Sequence, residues 1–431
     1  MPPTTALAGA GAATSAAPRR LRIAQVAPPL ERVPPVAYGG TERIVHELMQ
    51  ELVRRGHEVT VYASGDSDVL PAKHVVTVPE ALRPANSKDD VGAWFAATAD
   101  AVLRDADAFD IIHSHLEWWS LPLARASRVP VVSTFHGRLD LPFSSRLLEG
   151  AKEGIVAISR HQASTHPEAP WTVVHNGLRL EDMPFGQDRS EAFCFVGRVD
   201  PEKGIVEAID VALRAGRPLR IAAKVGVLAA QRAYDEEVFR PALRRAGSSV
   251  EYLGELAPDD RNRLFAESYA TLMPGAWPEP FGLVAIESLA TGTPVVARRI
   301  GALPEIIREG VDGVFGDDVT EMAFLSDRVG ALDRQAIRDR VIERFSAERM
   351  ADRYEELYAR MLAETPVAAP EIAPRAEAAG AAATSSNIEA ATAHRLELDA
   401  TDIQPAEPVV GIRPRSTGSV TLADRPARPG R

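Results

Sequence analysis

The segment WPEPFGLVAIESLATG, residues 277–292, carries two glutamates eight positions apart, Glu279 and Glu287. A helix is predicted from about residue 283 to residue 291, so Glu279 precedes this helix and Glu287 lies within it. The two carboxylates should therefore contact different parts of one extended ligand rather than share a proton. From this segment alone, two solvated acids on an exposed turn and helix are an equally good interpretation.

The start of the same helix offers a second kind of binding group. Phe281, Gly282 and Leu283 lead into it, and Gly282 permits the turn. The first N–H groups of a helix have no partner within it and carry partial positive charge. These groups are suited to phosphate oxygens.

Two cations follow a predicted strand in the segment FVGRVDPEKG. Arg198 and Lys203 stand five residues apart on a loop that leads into another helix. Cations beside a helix N-terminus suit a diphosphate, because charge-assisted bonds and free N–H groups converge on one place. A solvated loop is the alternative.

A glycine pair, Gly39 and Gly40, precedes the helical pattern TERIVHELMQELVRR. Thr41 is predicted as the N-cap of this helix, and Gly56 as the residue that ends it. Glycine lets the backbone approach a ligand closely, so this junction is a second candidate anion site. A flexible turn is the alternative.

The segment IIHSHLEWW places His113 and His115 two residues apart at a strand end. Such a pair suggests a metal site, but the segment supplies no third and fourth ligand, and no metal is expected. A polar lining for an acceptor is the preferred interpretation of His115. Trp118 could stack on a sugar there or pack in the interior.

The elements that must position these residues form two successive blocks. From residue 21 to about residue 365, short apolar runs alternate with helical patterns, which is typical of parallel α/β units. We predict Rossmann-like domains at 21–180 and 181–345, followed by a helix at 346–365 that returns toward the first domain. Ligands of such sheets bind beyond the carboxyl ends of the strands, where the motifs above lie.

Composition and charge limit the class of protein. The chain has 431 residues and a net charge of −11, with 45% hydrophobic and 25% charged residues, which fits two full-sized globular domains. An acidic chain is not expected to bind nucleic acid, and without a basic amphipathic helix a membrane-lipid acceptor is disfavoured. No apolar run approaches the roughly 18 residues of a membrane span. The single cysteine, Cys194, is predicted to be buried in a strand and is typical of a reducing cytoplasm.

The two ends of the chain have compositions unlike the rest. Residues 1–20 are predicted to be a disordered leader, because their only cations follow the small residues, the reverse of the order in a secretion signal. Residues 366–431 are rich in Ala, Pro, Thr and Ser and are predicted to form a disordered tail.

Seven segments, in order and spacing, resemble the retaining family 4 glycosyltransferases. The segments are YGGTERIVHELMQELVRRGHEVTVYA, STFHG, VVHNGL, FVGRVDPEKG, YLGEL, PEPFGLVAIESLATGTPVV and GALPEIIREGVDGV. The resemblance covers about residues 21–363, and PEPFGLVAIE matches the E-x7-E motif of that family. It implies a GT-B fold, an α/β architecture in which two Rossmann-like domains with parallel sheets face each other across a cleft.

The resemblance also implies a site for a nucleotide-diphospho-sugar, mainly on the second domain. Arg198 and Lys203 match the pair that holds the diphosphate, whereas Glu279 matches the acid at the donor sugar and Glu287 the acid at the ribose. The other matched positions are the backbone of Phe281, Gly282 and Leu283 at phosphate and sugar, Tyr252 to Leu256 where the base is held largely by main-chain contacts, Gly39 and Gly40 near the diphosphate, and His136 at the transferred sugar.

The implied reaction is retaining transfer of a hexose from the nucleotide sugar to the hydroxyl of a small molecule or glycan. Arg198 and Lys203 supply positive charge at the leaving group, so neither a metal nor another cofactor is expected. His136 is expected to position the sugar, with acid/base help as an alternative. Glu305 also matches a family position, but a first-turn helix acid explains it equally well.

Two other classes of function stay open at this point. One is a GT-B protein of another reaction type, either a sugar-nucleotide epimerase or a phosphorylase-like enzyme. The other is a nucleotide-sugar-binding pseudoenzyme. Neither the donor base nor the acceptor has a side-chain signature in the sequence.

Overall fold

The computed structural model describes residues 19–36, 39–187, 190–226 and 228–364. Of the predicted leader, only Arg19 and Arg20 are among the described residues, and the predicted tail at 366–431 lies outside them.

The first sheet is built around a strand whose side chains are buried on both faces. Its seven strands are all parallel and follow the order β3-β2-β1-β4-β5-β6-β7. Ile23 of β1 lies beside Val59 of β2 and Ile111 of β4, so β-branched residues fill the middle of the sheet. The elements are β1 (Arg22–Val26), α1 (Gly40–Arg54), β2 (Glu58–Ser64), β3 (Lys73–Val78), α2 (Val91–Arg104), β4 (Ile111–Ser114), α3 (Ser120–Ala126), β5 (Val131–Phe135), α4 (Ser144–Leu148), β6 (Ile155–Ala157), α5 (Arg160–Ser164) and β7 (Thr172–Val173).

The second sheet repeats this plan with six parallel strands in the order β10-β9-β8-β11-β12-β13. Cys194 of β8 is fully buried there, as predicted. The elements are β8 (Phe193–Val199), α6 (Ile205–Ala215), β9 (Leu219–Val225), α7 (Ala229–Tyr234), α8 (Arg240–Ala246), β10 (Val250–Gly254), α9 (Pro258–Glu267), β11 (Thr271–Met273), α10 (Leu283–Ala290), β12 (Val295–Ala297), α11 (Leu303–Ile306), β13 (Gly313–Phe315), α12 (Val319–Leu325), α13 (Arg334–Phe345) and α14 (Ala347–Glu364).

The strand order reverses at the same place in both sheets. β1 lies between β2 and β4, and β8 lies between β9 and β11. The loops after these central strands leave on opposite sides and open a crevice at the carboxyl edge of each sheet. The two parallel sheets with their helices confirm the predicted pair of Rossmann-like domains.

The start of α1 differs from the prediction. The helix begins at Gly40 with Gly39 in the cap position, and the Gly39 carbonyl accepts the Arg43 N–H at 3.2 Å. Thr41 therefore lies inside the helix, and its prediction as the N-cap was wrong. Gly56 does follow the helix end, with a φ of +92° that favours glycine.

Glu305 of α11 joins the two domains. Its carboxylate accepts N–H groups from Arg160 at 2.9 Å and His161 at 2.7 Å, and it lies 3.0 Å from Nε2 of His175. Glu305 is in the first turn of its own helix, as expected, but it caps the start of α5 in the first domain. The sequence could not reveal this role, because the capped helix is remote along the chain.

The last described helix, α14, packs on α1 and places two tyrosines inside the first domain. Tyr354 and Tyr358 are fully buried. The Tyr358 hydroxyl lies 2.7 Å from Nδ1 of His113, and the Tyr354 hydroxyl lies 3.0 Å from Oγ1 of Thr134. Thr134 in turn lies 2.8 Å from Nε2 of His113, so both ring nitrogens of this buried histidine have partners.

Replacing Tyr358 with phenylalanine should lower the free energy of unfolding by about 1–3 kcal/mol, because Nδ1 of His113 would lose its partner inside the protein. Chemical denaturation measures the change. The matched control is Tyr234→Phe, which removes a hydroxyl that has no hydrogen-bond partner among the described residues. Equal stability of Tyr358→Phe and the wild type would contradict this role of α14.

Candidate active site

A cleft of about 510 Å³ lies at the carboxyl ends of the strands, with walls from both domains. The structure brings most of the predicted site residues to this cleft. They are Gly39, Gly40, Trp118, His136, Arg198, Lys203, Glu279, Phe281, Gly282 and Leu283.

Lys203 and Glu279 form an ion pair in the cleft wall. Lys203 ends a short 3₁₀ turn, Pro201–Lys203, that follows β8, and the Asp200 carboxylate caps this turn by accepting the Glu202 N–H at 3.1 Å. Gly204 then takes a φ of +71° at the start of α6, and a Cβ there would lie 2.7 Å from the Gly275 nitrogen. The close approach of these two loops brings the ammonium and the carboxylate together.

The N-terminus of α10 opens toward the same place. The helix begins at Leu283, as predicted, after Gly282 with a φ of +115°. A Cβ at Gly282 would lie 2.9 Å from Cδ2 of Leu303, so glycine is required both by the backbone angle and by the space. The cleft therefore combines Arg198 and Lys203 with the free N–H groups of a helix start, a combination suited to a diphosphate.

Glu287 and Leu256 line a smaller cavity of about 130 Å³, which shares Gly39, Gly40 and Leu283 with the cleft. Glu287 is buried and pairs with two arginines, accepting from Nη2 of Arg261 at 2.9 Å and forming a second ion pair with Arg43 of the first domain. Burial alone would raise the pKa of Glu287, but Arg261 and Arg43 outweigh it and hold the pKa below its ordinary value. The predicted ribose-binding acid is thus an ionised carboxylate.

Two predicted residues lie outside both cavities. The Tyr252 hydroxyl donates to the Ala223 carbonyl at 2.9 Å, and its ring packs against Phe239 and Arg240. His115 is fully buried behind His136, and Nδ1 of His115 lies 2.9 Å from Nε2 of His136. The structure does not place either side chain where it could touch a ligand in the cleft.

His136 is held as a neutral imidazole at the cleft wall. Burial lowers its pKa to about 3, since the charged form would lose its hydration. The Glu117 carboxylate oxygen Oε1 accepts the backbone N–H of His136 at 2.9 Å and that of Gly137 at 3.1 Å. Glu117 therefore fixes the loop that carries His136.

Two glutamates at the cleft were missed in the sequence, Glu42 and Glu117. Both line the cleft from the first domain, and burial raises the pKa of each to about 7. The signal for Glu42 was its position two residues after the glycine pair, in the first turn of α1. Glu117 follows the strand that carries His113, and its φ of +52° marks an unusual backbone.

Arg43 and Arg261 were also missed, since each appears in the sequence as an ordinary helix cation. The described residues contain no group of three or more His, Cys, Asp or Glu side chains arranged to hold a metal ion. Within the same ranges, no helix is both long enough and apolar enough to cross a membrane.

Two family models and several known proteins are similar to this chain. The family model for "Glycosyltransferase Family 4" matches residues 38–182, and the model for "Glycosyl transferases group 1" matches residues 184–344. The chain is 29% identical over 331 residues to a glycogen synthase of Mycobacterium tuberculosis, which covers 65% of this chain and 79% of the relative. It is 30% identical over 350 residues to a D-inositol 3-phosphate glycosyltransferase of Frankia alni, which covers 68% and 86%.

A solved structure supports the fold. The chain is similar, with a TM-score of 0.61, to Anabaena Alr3699/HepE in complex with UDP-glucose, at 17% identity over 79% of this chain and 100% of that one. The fold and the matches together define an enzyme of the glycosyltransferase class with the GT-B fold. The chain belongs to glycosyltransferase family 4.

The raised pKa of Glu42 predicts a stability effect that depends on pH. Between its ordinary pKa of 4.5 and the folded value of about 7, the folded state binds more protons, so this carboxyl destabilises the fold increasingly as the pH rises. The negative charges of Glu31 and Glu117 also raise the pKa of Glu42, whereas the positive charge of Arg83 lowers it. In Glu42→Gln, the free energy of unfolding relative to wild type should rise by on the order of 2 kcal/mol from pH 5 to pH 8.

Chemical denaturation at the two pH values measures this change. Asp107→Asn removes an exposed acid of the same domain, away from the cleft, and its difference from wild type should stay constant. A constant difference for Glu42→Gln as well would show that Glu42 is ionised in the folded protein at both pH values.

Proposed function

We propose that this enzyme transfers a hexose from a nucleotide-diphospho-sugar to an acceptor hydroxyl, with retention of the anomeric configuration and without a metal ion. The observation that carries the proposal is that Arg198, Lys203, Glu279 and the start of α10 line one cleft. Two cations, a carboxylate and free N–H groups match a diphosphate joined to a sugar.

The donor would span the two connected cavities. Arg198, Lys203 and the N–H groups of α10 bind the diphosphate, and Glu279 with His136 contacts the sugar in the larger cavity. Glu287 binds the ribose hydroxyls in the smaller cavity, where Leu256 lies at the base. UDP-glucose bound to a protein of the same fold supports this class of donor.

Both acids and one of the cations assigned to the donor form ion pairs with protein groups, which a donor would have to replace. Lys203 pairs with Glu279, and Glu287 pairs with Arg43 and Arg261. A donor offers phosphates to the cations and hydroxyls to the acids, so each group can exchange one partner for another without losing all of its hydrogen bonds.

The transfer itself depends on the charge of the leaving group. The bond between the anomeric carbon and the phosphate oxygen breaks, and the nucleoside diphosphate gains negative charge that Arg198, Lys203 and the α10 N–H groups stabilise. The acceptor hydroxyl forms its bond on the same face, and its proton passes to the departing phosphate oxygen. His136, whose pKa is lowered to about 3 by burial, serves as a neutral hydrogen-bonding group at the sugar.

Lys203→Met should reduce the rate of transfer by about a hundredfold or more, the scale expected when one preorganised group at a developing charge is removed. A thermal-shift screen with UDP-, GDP- and ADP-hexoses first identifies the donor, because a ligand of the native state raises its stability. Release of the nucleoside diphosphate from that donor then reports the rate. Lys152→Met, which removes an exposed lysine away from the cleft, is the control. A folded Lys203→Met enzyme with the wild-type rate would contradict the proposed diphosphate site.

The stereochemistry and metal requirement can be tested in one assay. With excess EDTA, transfer should continue at the same rate, because protein cations and N–H groups stabilise the leaving group. The NMR coupling constant of the anomeric proton in the product should show the configuration of the donor. Loss of activity that Mg²⁺ or Mn²⁺ restores would contradict metal independence, and an inverted product would contradict retention.

A further inference from the structure

The wall of the cleft that belongs to the first domain carries two glutamates and two arginines. Glu42 and Glu117 both face the cavity there. Glu42 is only 3% exposed, and apart from its own backbone amide its carboxylate has no hydrogen bond or ion pair among the described residues. Burial has removed the hydration of this carboxyl group, and the described residues supply no side-chain hydrogen bond in its place.

Only one of the two carboxyl oxygens of Glu117 has hydrogen-bond partners among the described residues, so the other oxygen can bind a ligand. Oε1 accepts both the His136 and the Gly137 N–H groups. Oε2 has no partner in the part of the chain that the structure describes. The two acids therefore present carboxyl oxygens to the cavity that can form hydrogen bonds with hydroxyl groups, as acceptors when ionised and also as donors when protonated.

The two arginines of the same wall each lie beside a different acid. Arg138 donates two bonds of 2.7 Å to Asp140 and lies 4.3 Å from the centre of the Trp277 ring. Arg83 has a largely exposed side chain and lies 3.8 Å from Glu31. Neither arginine is within ion-pair distance of Glu42 or Glu117. A phosphate on this wall would lie beside two carboxyl groups that have no ion-pair partner among the described residues, and its charge would be repelled by either of them when ionised.

Apolar side chains complete the wall. Leu30, Phe95, Trp118 and Leu141 line the cleft beside the two acids. Carboxylates next to aromatic and aliphatic surface match a compound that has hydroxyl groups along its edge and C–H groups on its face.

We infer that the acceptor is a polyhydroxylated compound without a phosphate group, bound through its hydroxyls to Glu42 and Glu117. This inference rests on the proposed function, because the cations of the second domain are then occupied by the donor. It assigns Glu42 and Glu117 as acceptor-binding residues that select against anionic acceptors.

The test uses matched pairs of acceptors with the donor identified by thermal shift. The pairs are glucose with glucose 6-phosphate, fructose with fructose 6-phosphate, and myo-inositol with myo-inositol 1-phosphate. Product formation by the wild-type enzyme is followed by mass spectrometry. Within each pair that reacts, the uncharged member should have a kcat/KM at least about tenfold higher, because unpaired buried groups discriminate strongly.

Variants separate acceptor binding from donor binding. Glu42→Gln and Glu117→Gln should raise KM for the uncharged acceptor about tenfold. Both variants should also reduce the ratio of kcat/KM between the uncharged and the phosphorylated member of a pair, because repulsion between the carboxylate and the phosphate is relieved. Hydrolysis of the donor without an acceptor should stay unchanged in Glu42→Gln, since Glu42 is assigned to the acceptor alone. Glu117→Gln is judged by the ratio of kcat/KM between the two members of a pair, because Glu117 also holds the loop of His136. Asp107→Asn, which changes the net charge equally, should alter neither quantity.

Three results would overturn the inference while donor hydrolysis is intact. They are preference for the phosphorylated members, no transfer to any uncharged member, and an unchanged preference in both glutamine variants. If the wild-type enzyme neither bound nor hydrolysed any nucleotide sugar, the proposed function itself would be contradicted. The inference about the acceptor would then be contradicted as well, because it rests on that function.

Discussion

Ion pairs that cross from one domain to the other are the contacts on which the arrangement of the cleft depends. Glu287 of the second domain pairs with Arg43 of the first, and Glu305 accepts two N–H groups from the start of α5. Both carboxylates are largely removed from water, so each needs the partners that the opposite domain supplies. These contacts set the carboxyl edges of the two sheets against each other, and the cleft is the space that they leave.

The cleft is asymmetric in the groups that we propose for binding the two substrates, although the whole chain is acidic. One wall carries Arg198, Lys203 and the start of a helix, whereas the other carries Glu42 and Glu117. A local set of cations can hold an anionic ligand in a chain with a net charge of −11, because screening and distance weaken the remaining charges. The asymmetry gives the two proposed substrates different places, with the phosphates of the donor at one wall and the hydroxyls of the acceptor at the other.

The structure also clarifies the two acids of the E-x7-E segment. Glu279 precedes α10 and lines the larger cavity, whereas Glu287 lies within α10 and lines the smaller cavity. Glu279 pairs with Lys203 and Glu287 pairs with Arg261, so neither carboxylate depends on the other for a partner. Their separation agrees with the interpretation made from the sequence, in which the two acids contact different parts of one ligand, and disfavours a shared proton.

The sequence by itself determined the fold class and the part of the site that is local along the chain. Arg198 and Lys203, like Glu279 and the start of α10, stand at a strand–loop–helix junction, and the spacing within such a junction fixes where its residues lie. Only the tertiary structure decided the rest. Tyr252 lies within β10 and His115 directly follows β4, yet their side chains turn into the protein, and position along a strand alone does not specify that direction. Glu42 and Glu117 are far apart in sequence and share the cleft because β1 and β4 are neighbours in the sheet, a pairing that is fixed by packing between distant segments.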